Sequence, residues 1–535
     1  MTKTESQVPE KRMSDEEPPS SKSMRYDRQL RLWGDKGQMA LENASVCLLN
    51  ATTLGCEVVK NLVLPGVGEI HIVDDSSVSI FDVQSNYFLS PSDIGKPRVE
   101  CVISTLTQLN PDTKHHAYNI PVSEFIQRHL DSLKRFSVFV ISNLNPVDYK
   151  ELSQIAWDSN IPIITADIVG LYSVIRIIIR EHCIIESKPD TPLPDLHLDK
   201  PFTELIDFYQ NMDFDLFSDM EHAHIPFVLI LLKCLDQWKA KNGGQMPKNY
   251  KEKCEFKKLI NSLRRKPDEE NFNEACKNVN KCVISYSLPG NIAALFEDTS
   301  CNISATSSSF WLTAAAVKQF YNVRGVLPVS GVLEDMTADT QTFIALQNLY
   351  QNKAIADANA VEQYLNVSLK KFELPVNSVS RDYVRNFSKN SRFLHVLKTD
   401  PIEGIQDAVK NSLKTYAEEP DDLCHIVLLF KACQLFVDRN CRWPGVLDDN
   451  LISDEVELSS ILKTVQQSYD MPEVDLVMLI KDFVRYGGTE MPSVAAFSGG
   501  IAAHECIKLI TCQYIPVDNC FVYNGGTQVS SVYKY

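Results

Sequence analysis

The stretch SVCLLNATTLGCEVVKNLVLPGVGEIHIVDD, residues 45–75, decides the fold. Its first five residues, Ser45–Leu49, form an apolar run too short for a helix and are predicted as a buried strand. Asn50–Gly55 reads as a turn, and Leu54–Leu64 as a helix stopped by Pro65-Gly66. A second strand is predicted over Glu69–Val73, ending at Asp74-Asp75. Two strands joined through a helix imply a parallel pair, because a parallel partner can be reached only by a crossover connection.

The alternation continues outward. Helical patterns at Val99–Leu109 and Val147–Trp157 separate strand candidates at Val138–Ser142 and Pro162–Ala166, and the apolar run Gly170–Ile179 closes this part as a further strand. Upstream, Tyr26, Leu30, Trp33, Gly37, Ala40 and Leu41 share one helical stripe. Residues 23–180 therefore read as the first part of an α/β domain, a mostly parallel sheet covered on both faces. Residues 1–22 mix charge, Pro and Ser without periodicity and are expected to be a disordered tail.

Between 181 and 485 the character changes to long helical patterns: Phe227–Trp238, Tyr250–Leu263, Phe310–Tyr321, Gln341–Ala356, Asp422–Phe436 and Val474–Tyr486. This reads as a mainly helical insertion of one or two subdomains. Beyond 486 a small-residue helix, Pro492–Cys512, and a strand, Phe521–Asn524, restore the α/β character, so 486–535 is expected to be the last part of the interrupted domain.

Composition excludes several classes of function. The net charge is −16, from 53 basic and 69 acidic residues, with no long basic run, so nucleic-acid binding is not the main role. The longest apolar stretch, Phe227–Leu232, is far below the roughly 18 residues of a membrane span. The first residues lack the apolar core of a secretory signal. Fifteen cysteines are scattered without a paired C-x-x-C, which indicates neither a structural zinc site nor a disulfide framework. A reducing compartment fits them, the cytoplasm and with it the nucleus.

The turn at Asn50–Gly55 lies where a dinucleotide fold presents its phosphate loop. Such a loop wants three glycines: one for the tight turn, one for close approach of the phosphates, one for packing helix on strand. Here the first slot holds Asn50 and the second Thr52, with Thr53 beside it, and only Gly55 survives. Asn tolerates the turn conformation, but a β-branched Thr places a methyl and a hydroxyl in the phosphate path. Two readings stay open: a mere connection between strand and helix, or an altered pocket that uses the Thr hydroxyls.

Several blocks in one order sharpen this. Arg25-Tyr26-Asp27-Arg28-Gln29, Leu54-Gly55-Cys56-Glu57, Lys60 to Gly68, Asp93-Ile94-Gly95-Lys96-Pro97-Arg98 and Gly499-Gly500-Ile501-Ala502 resemble the adenylation domain of the ubiquitin-activating enzyme family. The resemblance implies a Rossmann-like adenylation fold working in a pair of subunits. The active subunit adenylates the carboxyl terminus of a ubiquitin-like modifier with ATP and Mg²⁺, then takes it onto a cysteine. This chain departs from the active pattern. Ser76 aligns with the magnesium Asp, Gln84-Ser85-Asn86 with the Asn-Arg-Gln element, and Arg98 with the phosphate-binding Lys. No cofactor or metal is therefore expected on this chain; ATP and Mg²⁺ belong to the partner.

One element is intact. The Arg-Tyr-x-Arg-Gln motif supplies, in paired relatives, an arginine that reaches the partner's ATP phosphates, and Arg28 matches it, with Arg25 as neighbour. A guanidinium given in trans neutralises transition-state charge; the alternative is that Arg28 caps or salt-bridges its own helix. Length, the insertion, and the stretches Ser307–Leu312 and Leu327–Ala354 resemble the regulatory-subunit branch serving the modifier Nedd. That branch implies as partners a catalytic activating subunit, Nedd, its conjugating enzyme and amyloid precursor protein. A scaffold binding signalling partners through the insertion is the competing reading.

The remaining candidates read as structural. Cys47, Cys56, Cys424, Cys433 and Cys506 fall on core elements and are expected to be buried. His504 and Glu505 are adjacent on a helix and point apart. Ser498-Gly499-Gly500 permits close approach of another element, and Asp335 and Asp339 suit a helix cap.

Overall fold

In the computed structural model, residues 25–190, 195–400, 422–469, 471–472 and 474–534 are described. The expected tail at 1–22 lies outside them. The strands in chain order are β1 (Ser45–Leu49), β2 (Glu69–Val73), β3 (Lys114–Tyr118), β4 (Val138–Ile141), β5 (Ile163–Val169), β6 (Tyr172–Ile178), β7 (His182–Ile184), β8 (His395–Leu397), β9 (Cys520–Asn524) and β10 (Val529–Tyr533).

Eight of them form one sheet in the order β10-β9-β6-β5-β4-β1-β2-β3. The run β3-β2-β1-β4-β5 is parallel, and β6, β9 and β10 extend it with antiparallel pairs. β1 and β4 are buried along their whole length, as central parallel strands covered on both faces must be. β3 was not foreseen: KHHAY is polar because it is the edge, two of its five residues exposed and the other three partly buried. Strand order reverses between β1 and β4, and such a switch point is where doubly wound sheets bind ligands.

Two helices set the geometry there. Thr53–Val63 follows β1, and Pro492–Thr511 lies against it. Their approach depends on small residues, for a Cβ on Gly499 would come within 2.6 Å of the Glu57 Cβ. Ser498 meets Ser173 on β6 at 2.7 Å between hydroxyls. Gly55 packs helix on strand, a Cβ there lying 2.9 Å from Leu48 Cδ1 and 3.0 Å from the Asn50 carbonyl.

The domain boundary is placed at 398, not at the expected 485. One unit comprises residues up to Arg180, Thr399–Thr511 and Val517–Tyr535; the other comprises Glu181–Lys398 and Cys512–Pro516. The physical reason is a shared core. Helices Cys424–Asn440, Leu451–Ser468 and Val477–Tyr486 bury Leu428, Cys433, Phe436 and Phe483 against Val522 of β9 and Tyr533 of β10. These helices cover the antiparallel end of the sheet and belong to the α/β unit.

The second unit holds the rest of the insertion around two cores. One gathers helices Phe227–Lys241, Tyr250–Ser262 and Glu270–Cys282; the other gathers Ser309–Arg324, Thr340–Lys371 and Arg381–Lys389. β7 pairs antiparallel with β8, tying the segment that enters this unit to the one that leaves it. Asp339 caps the 32-residue helix Thr340–Lys371, accepting from the Thr342 amide at 2.9 Å. Asp335 stays in the preceding loop and accepts from the amide of Met336. All fifteen cysteines are free thiols, and Cys47, Cys56, Cys424, Cys433 and Cys506 are buried.

Candidate functional site

The bend after β1 opens with Asn50 in the left-handed region, φ 68°, a conformation Asn tolerates better than other non-glycine residues. Its side-chain amide donates to the carbonyls of Ser142 at 3.1 Å and Asn143 at 2.9 Å, beyond the end of β4. The Thr52 and Ser142 hydroxyls meet at 2.8 Å. These bonds bridge the ends of β1 and β4 at the switch point.

The amides around the bend are also taken. Ala51 donates to Asp74 Oδ2 at 2.9 Å, Gly55 to the Thr52 hydroxyl at 3.1 Å, and Leu54 to Glu490 Oε2 at 2.9 Å. A helix N-terminus attracts anions because its first amides are unpaired and the helix dipole points there. Here a carboxylate of the chain itself sits on that position. Glu490 keeps part of its surface, but its carboxyl is walled in by protein. Burial pushes it up to about 7, the Leu54 amide and Thr52 pull it back, and the negative charge of Asp167 adds to the rise. Asp167, which accepts from the Asn143 amide at 2.9 Å, is itself pushed up to about 6 by burial. An entering phosphate would have to displace one carboxylate beside another.

The cation meant for phosphate is spent in the same way. Arg98 Nε lies 2.7 Å from Asp74 Oδ2, and its Nη1 lies 2.9 Å from Asp82 Oδ1. Asp74 is fully buried, and its Oδ1 accepts from the Ser76 amide at 2.8 Å, so both oxygens are committed. Ser85 meets the Thr53 hydroxyl at 3.1 Å, buried Asn86 points its amide at Cys56 Sγ, and Gln84 is exposed. Both Thr hydroxyls that a pocket reading of the bend would use have partners within the chain.

Around the start of the first helix, Asp27–Glu42, three arginines are treated differently. Tyr26 is buried, accepts from Asn110 Nδ2 at 3.1 Å and packs on Gly66, where a Cβ would lie 2.7 Å from the Tyr26 hydroxyl. Arg25 donates to the Leu109 carbonyl at 3.2 Å and faces Asp112 at 3.6 Å. Arg31 pairs with Asp27. Arg28 is exposed, and among the described residues it makes no hydrogen bond or ion pair, so the alternative of a local salt bridge lacks a partner. Late in the Pro492–Thr511 helix, Glu505 is bound to Lys508 and the Val517 amide, while His504 faces solvent; they do no joint chemistry.

Sequence reasoning pointed to Arg28, the altered bend and Arg98. It missed Glu490, Asp74 and Asp82 as the groups that fill the site. Asp74 and Asp82 are near in sequence to what they bind, but Glu490 is 436 residues from Leu54 and nothing local marks it.

A family profile described as the ThiF family matches residues 26–528. The NEDD8-activating enzyme E1 regulatory subunit of Xenopus laevis is 38% identical over 525 residues, covering 96% of this chain and 98% of the relative. The regulatory subunits of the same name from Danio rerio and Gallus gallus are each 37% identical, over 97% and 96% of this chain and 99% and 98% of their own lengths. The chain belongs to the ThiF family and, within it, to the NEDD8-activating enzyme E1 regulatory subunits.

Proposed function

We propose that this ThiF-family chain is the non-catalytic half of a two-subunit NEDD8-activating enzyme, and that adenylation and thioester formation take place on its partner subunit. The observation that carries the reading is the self-filled bend: Leu54 and Ala51 amides bound to Glu490 and Asp74, and Arg98 bound to Asp74 and Asp82. The Ala51 and Leu54 amides and the Arg98 guanidinium, groups that would meet a triphosphate, already have carboxylate partners inside the fold. ATP and Mg²⁺ then bind the partner subunit, where the modifier's carboxylate attacks the α-phosphate and pyrophosphate leaves.

This chain contributes in two ways. Its adenylation-type unit presents a folded surface to the partner, and Arg28 supplies a mobile guanidinium toward the partner's ATP phosphates. A bidentate, permanently charged donor suits phosphate oxygens that gain charge in the transition state. The test is ATP–pyrophosphate exchange dependent on NEDD8. The expected result is no exchange by the purified chain and full exchange once the catalytic subunit is added. Exchange by the chain alone would overturn the reading. Glycines at Asn50 and Thr52 leave the isolated chain inactive on this reading, since Glu490 and Asp74 still cover the amides.

A further inference from the structure

His71 and His116 are directly opposed across the β2–β3 pair, and Glu69 lies two residues before His71 on the same face. The two imidazoles stack with centroids 4.3 Å apart and planes 16° from parallel. The His71 ring is buried, 1% exposed, and Phe136 holds it edge-on at 4.9 Å. Its Nδ1 lies 3.2 Å from the Tyr118 hydroxyl. The His71 Nε2 is buried, makes no hydrogen bond of normal length, and lies 3.5 Å from Glu69 Oε2.

The other oxygen of Glu69 accepts from Lys114 Nζ at 2.9 Å. A carboxylate oxygen and two imidazoles thus lie with their ligand atoms all within 4.8 Å of one another. Two ligands 2.0–2.1 Å from a tetrahedral zinc ion stand about 3.4 Å apart. The His71–Glu69 pair, at 3.5 Å, already has that spacing, and His116, on the edge strand, has up to about 1.4 Å to close by turning out of its stack on His71.

We propose that Glu69, His71 and His116 form a binding site for a divalent transition metal of the zinc class, with the fourth position open to water or an external ligand. Two imidazoles and one carboxylate suit zinc and its neighbours rather than calcium or magnesium, which take oxygen shells. The hydroxyl of Tyr118 on Nδ1 is the outer partner that fixes tautomer and ring orientation in bound histidines. A metal here pins the polar edge strand β3 to β2, on a part of the sheet separate from the bend after β1.

The test uses the full chain, stripped with a chelator, its accessible thiols alkylated, then titrated with Co²⁺ and competed with Zn²⁺. The expected result is one equivalent bound with the visible absorption of a four-coordinate nitrogen and oxygen site. His116→Ala and Glu69→Gln, at the sheet edge, should each weaken binding tenfold or more. Zn²⁺ should raise the thermal midpoint of the wild type and of neither variant. Equal affinity in wild type and both variants, or no uptake after thiol alkylation, would overturn the proposal. If His116→Ala fails to fold, Glu69→Gln carries the same readout.

Discussion

The bend at Asn50–Leu54 and the start of the first helix belong to one unit and answer opposite demands. At the bend the groups nearest a phosphate path have partners within the chain: the Ala51 and Leu54 amides on Asp74 and Glu490, the Thr52 and Thr53 hydroxyls on Ser142 and Ser85, the guanidinium of Arg98 on two aspartates. At the helix start, Arg25 and Tyr26 just before it are tied down, while Arg28 in its first turn has no partner among the described residues. Under the proposed function, the difference teaches how a fold gives up one activity and keeps another. Retiring a binding site requires internal partners, because buried donors and charges left bare are costly. Keeping a group for another molecule requires that it have no internal partner at all.

The comparison breaks first at Arg28. Arg28→Ala should leave the heterodimer assembled, with gel-filtration behaviour unchanged, and slow NEDD8-dependent exchange about 10³-fold, or about 4 kcal/mol, the lower range for arginines supplied to phosphoryl transition states. Undiminished exchange would place the motif among structural ones. The second test concerns Glu490. A buried acid whose folded value, about 7, exceeds its unfolded value binds a proton more tightly in the native state. Its stabilising effect is therefore present below about pH 4.5 and is lost as pH rises through 7. Glu490→Gln keeps an acceptor for the Leu54 amide, so the difference between variant and wild type should grow by up to about 3 kcal/mol across that window. Parallel denaturation curves from pH 4.5 to 7.5 would show that the carboxyl is not enclosed as described.

Smaller effects sharpen the contrast. Gly499→Ala forces a methyl onto the Glu57 Cβ and the helix backbone, and should cost about 2 kcal/mol by overpacking, read as a lower midpoint in urea. Least of all, Arg25→Ala should cost under about 1 kcal/mol of stability, being a partly exposed pair, and leave exchange by the complex intact. A loss of exchange equal to that of Arg28→Ala would erase the distinction between the tied and the free arginine.

Much of this was legible in the sequence, for reasons visible in particular elements. β1 and β2 were read to the residue because central parallel strands are continuous apolar runs bounded by polar turns. β3 escaped because KHHAY carries the mixed character of an edge. The Thr340–Lys371 helix was read only to Ala356, although no Gly or Pro interrupts it before Pro375. The boundary at 398 was illegible because helical periodicity tells which face is buried and not against what: Cys424–Asn440 reads like any insertion helix until its partners on β9 and β10 are known. In the site, glycine loss at Asn50 and Thr52 gave the direction of the argument, and the charge of Arg98 pointed away from it. Only the fold brings Asp74, Asp82 and Glu490 to those groups.

The sheet order carries a consequence for how the polypeptide is made. β6 must pair with β9, and Ile177 and Asn519, bonded at 3.2 Å, are 342 residues apart. At roughly 5–20 residues per second, a ribosome that has finished β6 needs on the order of 20–70 s to deliver the strand that covers it. Throughout that interval YSVIRII is an exposed, flat, apolar sheet margin, the kind that recruits strangers. Nascent chains paused in the insertion should therefore bind holding chaperones through this margin, and release them when the last segment emerges.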